Sequence, residues 1–158
     1  MQTEIKLLIE QLRDAYEGEP WFGRSVKELL NEVNEKQAFV KLNDQHSFLE
    51  LVWHMVTWRE FTVHCLQPSS DRSLKYFEDL DWRELDHTNL SLWPEGLRML
   101  DESQERLLAA LQQQDDSILN NVVKERNYNY RKLITGVIQH DIYHLGQIAY
   151  LNKALKNS

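Results

Sequence analysis

His140 and His144 stand four residues apart in the run HDIYHLGQIAYL, residues 140–151. On a helix, positions i and i+4 are neighbours on one face. Two imidazoles so placed can converge on one cation at about 2.0–2.1 Å per bond. They fall on a stripe of Leu133, Val137, His140, His144, Gln147, Leu151 and Ala154 whose spacing otherwise describes a core-facing side. A third histidine, His54, lies on the inner stripe of a distant segment, with Leu51, Trp58, Phe61 and Cys65. Helix bundles build metal sites from side chains on facing helices in this way. Three neutral nitrogen ligands leave a coordination position open, as catalytic rather than structural sites do. The spacing also admits a blander reading, three core histidines that each find a hydrogen-bond partner, since a buried ring without one is costly.

The neighbours of these residues matter next. Gln147, one turn beyond His144, is placed to hydrogen-bond a bound water or substrate, or else to satisfy a backbone group as a buried amide. Glu50, one turn before His54, is placed to orient its imidazole from behind, or else to close a capping box with Ser47. These two are the candidate catalytic residues. Asp141 is rotated about 100° from His140 and so points away from the same ion, free to pair with a neighbouring helix. Cys65 lies about 16 Å along the axis from His54, too far to be a fourth ligand. Of the other histidines, His64 aligns with Thr57 and Glu60 on a polar side, His87 falls in a polar loop, and His46 sits at a helix start, on the surface or over the mouth of a pocket.

Four long amphipathic helices position these groups. The first spans 3–17, with Ile5, Leu8, Ile9, Leu12 and Tyr16 at helical spacing, and GEPWFG ends it. Ser25 and Glu28 form a capping-box pattern that opens a short helix over 25–34, and 35–45 reads as a connection. The second long helix covers 47–66. Residues 67–92, with Pro68, Ser69 and Ser70, are the least regular, with a helical turn at DWREL. Pro94 suits the first turn of a third long helix reaching about 114. Residues 115–128 read as a helical turn and loop, and the fourth long helix spans 129–155. The expected fold is therefore all-α, a four-helix bundle with a long crossover connection, in one domain over 1–158.

The composition agrees with a small packed domain. Of 158 residues, 42% are hydrophobic and 27% charged, enough for a core without disulfides. The single cysteine, Cys65, fits a reducing cytoplasm. The opening MQTEIKLLIEQL lacks the unbroken apolar stretch of a signal peptide, and no run is long enough to cross a bilayer. A net charge of −7 with no basic stripe argues against a nucleic-acid partner.

HDIYHLGQIAYL, preceded by SFLELVWHMVTW and GEPWFGRSVKELL, resembles the DinB-like (YfiT-like) metalloenzyme superfamily over nearly the whole chain. The resemblance implies a four-helix bundle with a long crossover. It implies a divalent metal, zinc or nickel, held by His54, His140 and His144; the ligand type also permits iron or manganese. It also implies that Trp21 and Phe22 rim the pocket, though singly such residues are more often core. Trp53, Trp58 and Tyr143 read as core or pocket wall, and Gly146 as the place where a neighbouring helix comes close. The resemblance suggests a homodimer and a small-molecule substrate. Two enzymatic readings follow: a transferase that moves a cellular thiol such as bacillithiol, mycothiol or glutathione onto an electrophile, or a hydrolase using water whose pKa the ion lowers. No glutamate stands between the paired histidines, as it does in H-E-x-x-H proteases, which tilts the choice towards S-transfer. A non-catalytic metal- or ligand-binding module is the third possibility.

Overall fold

The computed structural model describes residues 3–67 and 72–157; Pro68, Ser69 and Ser70 lie outside them. Among the described residues there are seven α-helices. They are α1 (Glu4–Tyr16), α2 (Val26–Leu30), α3 (Glu35–Ala38), α4 (Phe48–Leu66), α5 (Leu74–Leu80), α6 (Leu92–Gln112) and α7 (Tyr130–Lys156), with a 3-10 turn at Asp116–Asn120 before the last. The only β pairing among them is an isolated bridge between Val122 and Asn129.

The helix starts are set by short polar side chains, which accept from backbone N–H groups that have no partner in the first turn. Thr3 serves α1, Ser25 α2, and Asn129 α7. Ser47 and Glu50 form a reciprocal capping box at α4. Asn34 and Gln37 form another at α3, so the stretch read as a connection over 35–45 contains a helical turn. In the segment between α4 and α6 the helix precedes DWREL, because Ser73 caps it at Leu74 through Tyr76 N. DWREL itself follows as a turn and an irregular stretch.

Helices α4 and α1 each pack against both α6 and α7, and α5 packs against α4. Leu12, Leu49, Leu51, Met55, Leu100, Leu107, Leu111 and Ile134 are fully buried between them. At about 0.8 kcal/mol per buried CH₂, this apolar set is the main source of stability. The polar side expected for α4 is largely covered: Thr57, Arg59 and Thr62 are buried. Arg83 donates to Thr57 Oγ1 at 2.8 Å, and that hydroxyl reaches the Leu80 carbonyl at 3.3 Å. A helix buried on most sides keeps its polar residues only by pairing them.

Gly96, not Gly146, marks a close helix crossing. A Cβ at Gly96 would lie 2.9 Å from Trp53 Nε1 and 3.2 Å from Val52 Cγ1, whereas one at Gly146 meets nothing within 4 Å. The Trp53 indole is itself held by a 3.1 Å bond to the Leu92 carbonyl, so it cannot swing aside freely. No helix of the described residues is long and apolar enough to cross a membrane.

Candidate metal centre

Helix α4 carries His54 in its second turn, and α7 presents His140 and His144 one turn apart. Their Nε2 atoms meet: His54 Nε2 is 2.8 Å and His144 Nε2 is 3.0 Å from His140 Nε2. The three rings place candidate ligand atoms within 4.8 Å of one another, and among the described residues this group has no fourth His, Cys, Asp or Glu. His54 and His144 are buried, and His140 is half-buried.

The far nitrogens decide which atoms carry protons. His144 Nδ1 lies 2.5 Å from Gln147 Oε1, and an amide oxygen only accepts, so Nδ1 donates and Nε2 presents a lone pair. His54 Nδ1 lies 2.6 Å from Asp81 Oδ1. That carboxylate sits off the N–H direction, so the nitrogen has no aligned hydrogen bond, yet its charge still favours a proton on Nδ1. Asp81 is in turn held at 2.8 Å by the Trp58 indole N–H. Two lone pairs are thereby aimed at His140 Nε2, which holds at most one proton. One of the two close N···N contacts is left with no hydrogen in it, and His140 Nδ1 is also buried without a partner. A divalent cation that accepts all three lone pairs removes the conflict, so this donor set fits a metal and fits hydrogen-bonded core histidines poorly.

Electrostatics agree. Burial, reinforced by the neighbouring imidazoles, pushes His54 down to about 4 and His140 down to about 3. Burial also lowers His144, against the opposing pull of the Gln147 bond. Neutral rings at pH 7 are the form that ligates.

The segment after α5 forms one wall. The Trp82 ring stacks on His54 at 3.7 Å and 7°, and His46 stacks on its other face at 3.7 Å and 6°. His46 thus sits over the site, bridged to His54 by one indole.

Several expected neighbours stand elsewhere. Glu50 Oε2 accepts from Ser47 N at 2.8 Å and Oε1 pairs with Lys41 at 2.6 Å, so its carboxylate is engaged away from His54. The carboxylate behind His54 is Asp81. Gln147 lines a cavity together with His46 and Tyr143, and its Oε1 holds His144 Nδ1. Asp141 pairs with Arg59 of α4, both fully buried. Trp21 is fully exposed and Phe22 half-exposed, and neither lines the cavities at His140 and at His54 or the one beside Gln147. Trp53 is core, Trp58 lines the largest of these cavities, and Tyr143 is exposed on the wall of another. Cys65 belongs to a separate apolar cluster, and burial raises its thiol to about 11.

Sequence reasoning missed Asp81, Trp82 and Arg59. Arg59 had a signal, the single Lys or Arg of α4, five positions after His54. Asp81 and Trp82 had none, because no spacing rule links an irregular connection to a helix face.

Asp81→Ala should lower divalent-metal affinity about 10–100-fold, the usual cost of losing an outer partner of a ligating histidine. Competition against a chromophoric chelator measures this. Unchanged affinity would show that Asp81 does not orient His54.

A family model described as the DinB superfamily matches residues 22–148. No curated protein and no solved structure matches the chain.

Proposed function

The chain belongs to the DinB superfamily, and from that premise and the geometry of its histidines we propose that it is a divalent-metal-dependent S-transferase. It joins a low-molecular-weight thiol to an electrophilic small molecule, forming a carbon–sulfur bond with loss of the thiol proton and of the leaving group. The observation that supports this reading best is the engagement of the carboxylates and the amide around the triad. Glu50 caps α4 and pairs with Lys41, Gln147 holds His144, and Asp81 stands behind His54 and accepts from Trp58. None of them is left to take a proton from water, which a hydrolase requires of a general base. A thiol is acidic enough to need no such base.

His54, His140 and His144 would hold the ion, zinc or nickel before iron or manganese for an imidazole set. When bound, such an ion supplies Lewis-acid chemistry that lowers the pKa of a thiol or of water. The protein's own part is orientation. Gln147 and Asp81 keep Nδ1 protonated on His144 and His54, so that both Nε2 atoms face inward. Trp82 shields the outer face of His54 from water. We place the reaction in a reducing cytoplasm, where small thiols persist.

Incubating the untagged, metal-loaded protein with monochlorobimane and each of several cellular thiols tests the reading. Conjugation above the His54→Ala background is the expected result. No excess with any thiol would remove the S-transferase reading and leave the metal site standing.

A further inference from the structure

The largest cavity beside the triad has a volume of about 610 Å³, within the range of small-molecule sites, and His140 forms part of its wall. Trp58, Phe61, Leu133 and Val137 make the rest of that wall mostly apolar. Its charge is opposite to that of the protein. The chain carries −7, yet Arg126, Arg131 and Lys132 line the cavity and no Asp or Glu does.

Arg126 is the most telling of the three. Arg131 is already paired with Glu4. Arg126 has a buried Nε with no hydrogen-bond partner. Its guanidinium lies 5.2 Å from the Phe61 ring centre, 5.8 Å from Tyr128 and 6.0 Å from Trp58. Ring faces offset part of the cost of burying a cation, but they do not satisfy an N–H. The local chain is bent to deliver this side chain: Arg126 N donates to Val123 O, Val123 N donates to Tyr128 O, and Glu125 takes a positive φ of 63° between them. The adjacent acid faces away, because Glu125 Oε2 accepts from Leu74 N.

We propose that this cavity binds a small organic carboxylate with an aromatic body, with Arg126 holding the carboxylate and the aromatic walls holding the body. The anion pairs with the guanidinium that, with Arg131 and Lys132, makes this wall cationic, and His140 places the bound molecule beside the triad. The identification of this molecule as a substrate rests on the triad being the reacting centre; the binding itself does not.

The test uses the metal-free protein, so that carboxylate ligation to an ion cannot contribute. Binding of 1-naphthoate and of its neutral isostere 1-naphthamide is measured by calorimetry. The charged probe should bind about tenfold tighter, as a charge-assisted bond to the guanidinium implies. Arg126→Met should bring the two affinities together without changing metal affinity. Gly136→Trp is a second arm: Gly136 lines the cavity, and a Cβ there meets nothing within 4 Å, so the indole should fill the space and abolish binding of both probes. Equal affinity of the two probes for the unaltered protein, no binding of either, or naphthoate binding that survives both substitutions would overturn the proposal. A protein that binds naphthoate as described yet conjugates no thiol would sink the S-transferase reading alone.

Discussion

His140→Ala is expected to abolish stoichiometric binding of a divalent ion. Its Nε2 is the one nitrogen in contact with both other rings, and its loss separates His54 from His144. An outer partner costs about 10–100-fold in affinity, so a direct ligand should cost more than about 100-fold. In the intact protein, saturating metal should stabilise the fold by about 2.7 kcal/mol at a free concentration of 100 Kd. For a chain of this length that is a rise in Tm of roughly 5–11 °C. The variant should show no such rise, while its metal-free Tm stays close to that of the intact protein. Two effects oppose there: a cavity opens, but an unpaired Nδ1 and a protonless N···N contact disappear. Elemental analysis of untagged protein, with thermal melts with and without metal, measures both. One equivalent of metal bound at unchanged affinity would show that His140 is not a ligand.

The same site carries a pH signature. His54 and His140 are lowered to about 4 and about 3, so they stay neutral as pH falls through 6.5. Metal should therefore be retained to well below pH 6.5, where an exposed histidine cluster would release it. In the metal-free protein, stability should fall as pH drops from 6.5 towards about 4, because the unfolded chain takes up protons first.

The second large effect is expected away from the site, at Asp141. Arg59 Nη2 donates to Asp141 Oδ2 at 2.5 Å and Nε to Oδ1 at 3.3 Å. Arg59 Nη1 donates to Gln104 of α6, and the guanidinium lies 4.6 Å from the Tyr16 ring centre of α1. All four long helices thus meet at one buried cation. Burial pushes the Asp141 carboxyl up, against the pull of Arg59. Asp141→Ala strands that cation without its counter-charge, and breaking a buried pair from one side costs about 3–5 kcal/mol. The expected fall in Tm is roughly 6–20 °C. The double replacement Arg59→Met with Asp141→Leu should recover most of it, because removing both charges also removes their desolvation cost. Urea unfolding of the single and double variants decides the matter. A double variant as unstable as the single one would mean that shape, not charge, governs this position.

How much could be read before any coordinates depended on the kind of signal. His54, His140 and His144 were legible because helical periodicity puts i and i+4 on one face and marks which face is apolar. The long helices were legible for the same reason, to within a few residues. Asp141 was read as turned away from the ion and free for a neighbouring helix, and Arg59 is that partner. The capping box of Ser47 with Glu50 was visible as one of two roles for Glu50, and the structure shows the carboxylate in that role. Gly96 was not picked out over Gly146, because a close crossing depends on which residue of the facing helix arrives there, and that is a tertiary fact. Asp81 and Trp82 lie in a stretch with no period at all, so nothing local announces that they reach His54. Trp21 shows the opposite failure: a large aromatic suggests burial, yet it stands fully in solvent.

The stretch between α4 and α6 has a consequence for anyone who would transplant this site. A designer grafting the three imidazoles onto a symmetric scaffold with tight hairpins would reproduce the ligands and omit both the carboxylate that backs His54 and the indole that roofs it. Such a miniature would have a floppy first ligand, open to solvent on its outer side, and would discriminate poorly among ions. The irregular loop, which a simplifying engineer would delete first, is part of the candidate centre.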